Sequence, residues 1–307
     1  MGLIEQAAKR LEELKNAGVE LPFDAVDRRT GGSVAKVIER MATEEPSPQA
    51  TQPSVAVPSD PKNDQRVSET IEIDLARLGA LGYLVPDQPR SQLADEFRVI
   101  KRPLLTNVQG KSAAPVERAN LIMVTSSLPG EGKTFLSVNL ALSIALELDT
   151  RVLLVETDSS RPATMARLGV PASRGLLDLL ADPELPVSDV LRRTNIDRLS
   201  VLPIGTLSDK ATEMLASGAM QRLLAEMSER YPDRVVIFDA PPLLPTPEAR
   251  ALAEHMGQIV MVVESAHTAQ GTVAQALDML AKCPVVMTVL NKARGVHAGS
   301  NFAYYAY

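Results

Sequence analysis

The chain has 307 residues, 45% of them hydrophobic and 23% charged, with a formal net charge of −6. That length suits one large domain with extensions. The acidic balance argues against nucleic acid as a partner, since such a surface needs a basic excess. The longest apolar runs, such as 121–124 and 259–263, fall far short of the roughly 20 residues a membrane span requires. The start, Met1-Gly2-Leu3-Ile4-Glu5, lacks a basic head and a following apolar stretch, so no secretory signal is expected. A cytoplasmic protein follows, one that meets the inner membrane only through a partner. Cys283 is the single cysteine, which excludes an internal disulfide framework and a CxxC site.

Leu3, Ile4, Ala7, Ala8, Leu11 and Leu14 recur at helical spacing and predict an amphipathic helix over 3–15, inside an N-terminal helical segment, 1–41. It is too short to be stable alone, so it docks either on its own domain or on a partner. Residues 42–68 carry Pro46, Pro48, Pro53, Pro58 and Pro61 among polar residues and read as a disordered linker. A helical lead-in over 69–118 includes a helix from Ser91, its N-cap, to about Leu105.

Over 119–291 apolar strands alternate with helical stretches. Strands are expected at 120–125, 151–156, 199–202, 234–239, 258–263 and 284–290, and helices at 132–148, 163–168, 175–181, 211–230, 247–255 and 268–281. Near-continuous apolar strands such as 121–124 suit a parallel sheet covered on both faces. The fold class is therefore α/β, a doubly wound and mainly parallel sheet with ligands at the carboxyl ends of its strands.

Residues 127–134, Ser-Leu-Pro-Gly-Glu-Gly-Lys-Thr, fit GxxxxGK[ST] with Ser127 in place of the first glycine. The pattern marks a P-loop NTPase that binds ATP with Mg²⁺. Gly130 and Gly132 let backbone N–H groups face a phosphate without a Cβ in the way. Lys133 brings a mobile positive charge to the β- and γ-phosphates, and Thr134 offers its hydroxyl to Mg²⁺. Ser127, Pro129, Glu131 and Phe135 complete the nucleotide-binding stretch, whose helix begins at the loop and adds its N-terminal partial charge. Asn291, after the last strand, either contacts the base or caps the strand.

Two further strands end on acids: Val155-Glu156-Thr157-Asp158, followed by Arg161, and Phe238-Asp239-Ala240-Pro241. An acid after an apolar strand is often only a helix cap. Beside a phosphate loop, Glu156, Asp158 and Asp239 are instead expected to supply oxygens to the cation, together with Thr134.

These three motifs, in this order, resemble the bacterial tyrosine kinases, and the resemblance covers about residues 91–307. The family carries a second motif of form DxDxxR, which Asp158 and Arg161 match while Glu156 replaces the first Asp. That extra methylene puts the cation geometry in question, and reduced rather than absent activity is expected. The family also carries an ExxRxxR helix that mediates ring assembly, and Asp95, Arg98 and Lys101 resemble it. The start of the chain looks like the exosortase-A-associated branch of tyrosine autokinases. The resemblance implies a homo-oligomeric ring, a membrane chain-length-determinant partner that activates the kinase in exopolysaccharide assembly, and a tyrosine phosphatase.

Three of the five tyrosines, Tyr304, Tyr305 and Tyr307, fall in the last four residues. The small, polar stretch before them makes 292–307 a flexible tail that reaches on the order of 50 Å when extended. Next to a kinase-like site, the cluster reads as the phosphate acceptor of a neighbouring subunit. A phenol needs a base at neutral pH. Asp158 is the candidate for it, with Lys133 and Arg161 stabilising the transferred group.

The rival reading is a positioning or partitioning ATPase, which usually carries a second lysine at the loop's second position; Leu128 stands there. Another is an ATP-binding polysaccharide regulator with weakened kinase activity, hinted at by Glu156.

Overall fold

The computed structural model describes residues 70–88, 90–230 and 234–293. The helix expected at 3–15, the linker and the tail tyrosines lie outside them.

In chain order the elements are β1 (Thr70–Ile71), α1 (Leu75–Ala80), α2 (Gln92–Val108), β2 (Leu121–Ser126), α3 (Lys133–Ala145), β3 (Arg151–Glu156), α4 (Thr164–Leu168), α5 (Leu176–Ala181) and α6 (Val187–Val190). They continue with β4 (Arg192–Thr194), β5 (Leu199–Leu202), α7 (Ala211–Leu215), α8 (Gly218–Arg230), β6 (Arg234–Asp239), α9 (Pro247–Ala253), β7 (Gln258–Glu264), α10 (Gln270–Asp278) and β8 (Val286–Asn291). The eight strands form one sheet in the order β1-β4-β5-β3-β6-β2-β7-β8. All neighbours are parallel except β4 and β5.

Period-2 alternation divides the core between the two faces of the sheet. In β2, Ile122 and Val124 join the cluster that holds Leu78, Phe97, Leu104 and Leu140, from α1, α2 and α3. Leu121 and Met123 join the opposite cluster, with Leu177, Leu215, Leu224 and Leu252 from α5, α7, α8 and α9. Both faces are thus covered, which is what near-continuous apolar strands require.

Ser91 caps α2 as expected, in extended conformation with its Oγ accepting from Ala94 N–H at 3.1 Å. The stretch 211–230 is two helices rather than one. Ser217 stands between them, its Oγ donating to the Met214 carbonyl at 2.7 Å and accepting from Met220 N–H at 3.3 Å. A side chain that competes with the backbone in this way ends one helix and starts the next. β1 and β4 were not anticipated; both are very short and carry no apolar run. Asn195 fastens them, accepting from Ile73 N–H at 2.9 Å and donating to the Ile73 carbonyl at 3.1 Å.

Lys101 corrects its expected place on an assembly surface. It is buried, its ammonium 2.6 Å from the Ser143 carbonyl and 2.6 Å from Glu147 Oε1. A cation at the carboxyl end of α3 satisfies a terminal carbonyl and suits the helix dipole. Lys101→Ala is therefore expected to lower stability by about 1–3 kcal/mol in urea unfolding. Unchanged stability with a smaller particle in light scattering would return Lys101 to an assembly role. Among the described residues, no helix is long and apolar enough to cross a membrane.

Candidate functional site

The carboxyl ends of β2, β3 and β6 meet at the centre of the sheet. Register places Glu156 beside Asp239, and Asp239 beside Val124, so the two acids lie in a row on one side of the exit of β2 into the phosphate loop. Strand order thus converts three sequence-distant stretches into one site.

The loop closes on α3 through two glycines in the left-handed region, Gly130 at φ +90° and Gly132 at φ +103°. Only a residue without Cβ adopts these angles cheaply. Among the described residues the N–H groups of Gly130, Glu131 and Gly132 have no acceptor. Ser127 Oγ is the one buried side-chain oxygen there without a hydrogen-bond partner, at the position where the pattern has its first glycine. Lys133 is buried at the start of the 13-residue helix α3.

Asp239 gathers three hydroxyls beside the loop. Its Oδ2 accepts from Thr134 Oγ1 at 2.8 Å and from Thr164 Oγ1, and its Oδ1 accepts from Ser137 Oγ at 2.9 Å. Burial pushes the Asp239 carboxyl up from its ordinary range, opposed by the hydroxyls of Thr164, Thr134 and Ser137 and by the charge of Lys133. Ser137 and Thr164 were not anticipated. Ser137 lies one turn beyond Lys133, so the helical period places it on the same face. Nothing local marks Thr164.

Glu156 is used differently from Asp239. Oε1 accepts from Thr164 N–H at 2.8 Å and Met165 N–H at 3.3 Å, and Oε2 accepts from Ile204 N–H at 3.4 Å. The carboxylate thereby caps α4, whose capping residue is Ala163 with no side-chain bond of its own. Burial raises the Glu156 carboxyl, partly offset by the N–H groups of Met165, Ile204 and Thr164, while the charge of Asp239 raises it further.

Asp158 is half-buried and accepts from Arg161 N–H at 3.0 Å, with Arg161 exposed at the rim. Among the described residues no three His, Cys, Asp or Glu side chains converge as a metal cage. Glu156, Asp158 and Asp239, expected together around one cation, therefore do not form a three-carboxylate cluster. The donor set instead suits Mg²⁺, which is held by one or two protein oxygens together with substrate phosphates and water. Thr134 and Asp239 are the oxygens in place for it, and the unpaired loop N–H groups fit a polyphosphate.

Among the other expected nucleotide contacts, Pro129 is exposed and Phe135 stacks obliquely on Tyr83, ring centroids 5.3 Å apart. Glu131 is buried: Oε2 accepts from Leu128 N–H at 2.7 Å, and Oε1 from Glu264 N–H at 3.3 Å and from Thr268 Oγ1. Asn291 touches the loop itself. Its Nδ2 donates to the Glu131 carbonyl at 2.8 Å. Asp95 and Arg98 pair with each other on the outer side of α2.

A strand-loop-helix phosphate site at the centre of a parallel sheet defines a P-loop fold, and comparison with known proteins narrows it. The family described as "AAA domain" matches residues 119–288, more than half of the chain. The chain belongs to that family. As an AAA-domain protein it is 28% identical over 220 residues to the tyrosine-protein kinase YwqD of Bacillus subtilis (strain 168), covering 71% of this chain and 88% of that protein. It is 30% identical over 239 residues to the succinoglycan biosynthesis transport protein ExoP of Rhizobium meliloti (strain 1021), covering 75% of this chain but 28% of ExoP. The BceF tyrosine kinase domain matches in structure with a TM-score of 0.54 and 25% identity, over 69% of this chain and 86% of that domain. The motif resemblance to bacterial tyrosine kinases therefore stands. The exosortase-associated branch rests on the start of the chain, outside the described residues.

Proposed function

We propose that this AAA-domain protein is an ATP- and Mg²⁺-dependent protein-tyrosine autokinase whose acceptors are Tyr304, Tyr305 and Tyr307 of a neighbouring copy. The observation that carries the reading is Thr134 Oγ1 at 2.8 Å from Asp239 Oδ2, at the start of the helix that presents Lys133. That grouping puts a cation-binding hydroxyl, a carboxylate and a phosphate-binding ammonium around one point.

Bound Mg²⁺ would draw negative charge off the β- and γ-phosphates. Around it, Lys133 offsets charge on the phosphoryl group in flight and Asp239 orients the Thr134 hydroxyl. A tail phenol oxygen forms the new bond to the γ-phosphorus as the bond to the β–γ bridging oxygen breaks. The phenolic proton passes to the Asp158 carboxylate, and ADP carries away the electron pair of the broken bond. Arg161, three residues on at the rim, steadies the phosphoryl oxygens.

By extension from relatives such as ExoP, the autokinase regulates exopolysaccharide synthesis from the cytoplasmic side of the inner membrane. It does so through a membrane chain-length-determinant partner, with a tyrosine phosphatase reversing it. Asp95 and Arg98 of α2 would serve ring assembly. Phosphates on the tail would add like charges near shared interfaces and favour an open ring. The reading as a regulator with weakened transfer draws on one observation, the commitment of Glu156 to backbone N–H groups.

The test is incubation of the full chain with γ-labelled ATP and Mg²⁺, followed by a phosphotyrosine blot. Lys133→Ala is expected to cut labelling by roughly 100-fold or more. Replacing all three tail tyrosines with phenylalanine is expected to remove nearly all of it. Labelling of the wild type no stronger than that of Lys133→Ala, or unaltered by the triple replacement, sinks the autokinase.

A further inference from the structure

The end of β8 has no part in the transfer chemistry above, yet it is bonded to the phosphate loop at two consecutive carbonyls. Lys292 Nζ donates to the Gly130 carbonyl at 2.8 Å, and Asn291 Nδ2 donates to the Glu131 carbonyl at 2.8 Å. Lys292 Nζ is also 2.9 Å from Glu264 Oε2, which anchors it to the end of β7.

A trans peptide points the C=O of one residue and the N–H of the next in opposite directions, and no cis peptide occurs among the described residues. Drawing the Gly130 and Glu131 carbonyls towards β8 therefore turns the Glu131 and Gly132 N–H groups the other way. Those are N–H groups without an acceptor among the described residues. Lys292 also holds φ +57°, a left-handed conformation that a residue with a Cβ keeps only where its surroundings impose it.

We infer that Asn291 and Lys292 are positioning residues that pre-set the phosphate-facing N–H groups of the loop, for ligands of the polyphosphate class. They act on the loop backbone and not on a nucleotide base. The inference rests on reading 127–134 as a phosphate loop.

The test titrates Mg²⁺-tripolyphosphate and Mg²⁺-ATP separately into the full chain by calorimetry, with melting followed in parallel. Asn291→Ala and Lys292→Met are expected to weaken both ligands by a similar factor, roughly tenfold, as the loss of one such hydrogen bond implies. Lys292→Gly relieves the backbone angle, so it should melt no lower than wild type while binding as poorly as Lys292→Met. A purely structural residue would move melting and binding together, and that result overturns the inference. So does a variant set that binds both ligands like wild type. Loss of ATP affinity with intact tripolyphosphate affinity assigns Asn291 to the base and likewise overturns it. If the wild type binds neither ligand, the phosphate-loop reading itself fails and the inference falls with it.

Discussion

Gly132→Ala is expected to weaken ATP binding by roughly 30- to 150-fold while leaving the sheet folded. Two costs combine. The native φ of +103° is outside what an L-residue tolerates, at about 1–2 kcal/mol or more. A Cβ there would also stand 2.0 Å from Asn291 Nδ2. That amide is the tip of a side chain and can swing away, but doing so releases its bond to the Glu131 carbonyl, worth about 1 kcal/mol. The loop escapes both costs by leaving the shape that faces phosphate, so the loss appears in binding more than in folding. Gly130→Ala is the internal comparison, because its Cβ would meet nothing within 4 Å and only the backbone angle opposes it. It should lose about tenfold, the fold-change of roughly 1.4 kcal/mol. Calorimetric titration of ATP, with circular dichroism to confirm folding, separates the two. Affinity for Gly132→Ala within threefold of wild type, or equal losses for both glycines, would refute the argument.

Glu156→Ala is expected to destabilise the metal-free protein by about 3 kcal/mol, because three buried N–H groups lose their acceptor while a costly buried charge is removed with them. Glu156→Asp, the residue usual in the kinases this chain resembles, withdraws the carboxylate by one methylene. It should lower stability by about 1–2 kcal/mol without raising the transfer rate. A faster kinase with an unchanged melting temperature would instead restore Glu156 to the cation. The pH dependence supplies an independent sign. The folded pKa of Glu156 is raised by burial, so its titration contributes stability that is present below about pH 4.3, the unfolded value. That contribution is lost as pH rises through the folded value. Glu156→Gln lacks this loss, so its deficit against wild type should be largest in acid and shrink towards neutrality. Urea midpoints measured in chelator across pH 4–8 decide it, and a deficit that grows with pH contradicts the burial argument.

Glu156 also shows where reading along the chain stops. Its type and its place at a strand tip were legible, and so was the departure from aspartate. Its engagement was not, because Ile204 lies 48 residues further on and is brought close only by β5 pairing with β3. Lys101 is a similar case: its spacing from Arg98 matched an assembly motif, while its burial depended on α3 packing beneath α2. Local signals carried much further. Ser91 was a cap from its own type and the pattern after it, and the strands at 151–156, 199–202 and 234–239 have the expected bounds.

The sequence by itself determined the phosphate loop, the alternating α/β plan and the strand-tip acids, because each depends on residues within a few positions of one another. Periodicity, glycine and capping chemistry act at that range. Only the tertiary structure decided which acid faces Thr134, which one caps α4, and that the end of β8 grips the loop from 160 residues away. Strand order sets those contacts, and strand order is fixed by how both faces of the sheet are buried at once.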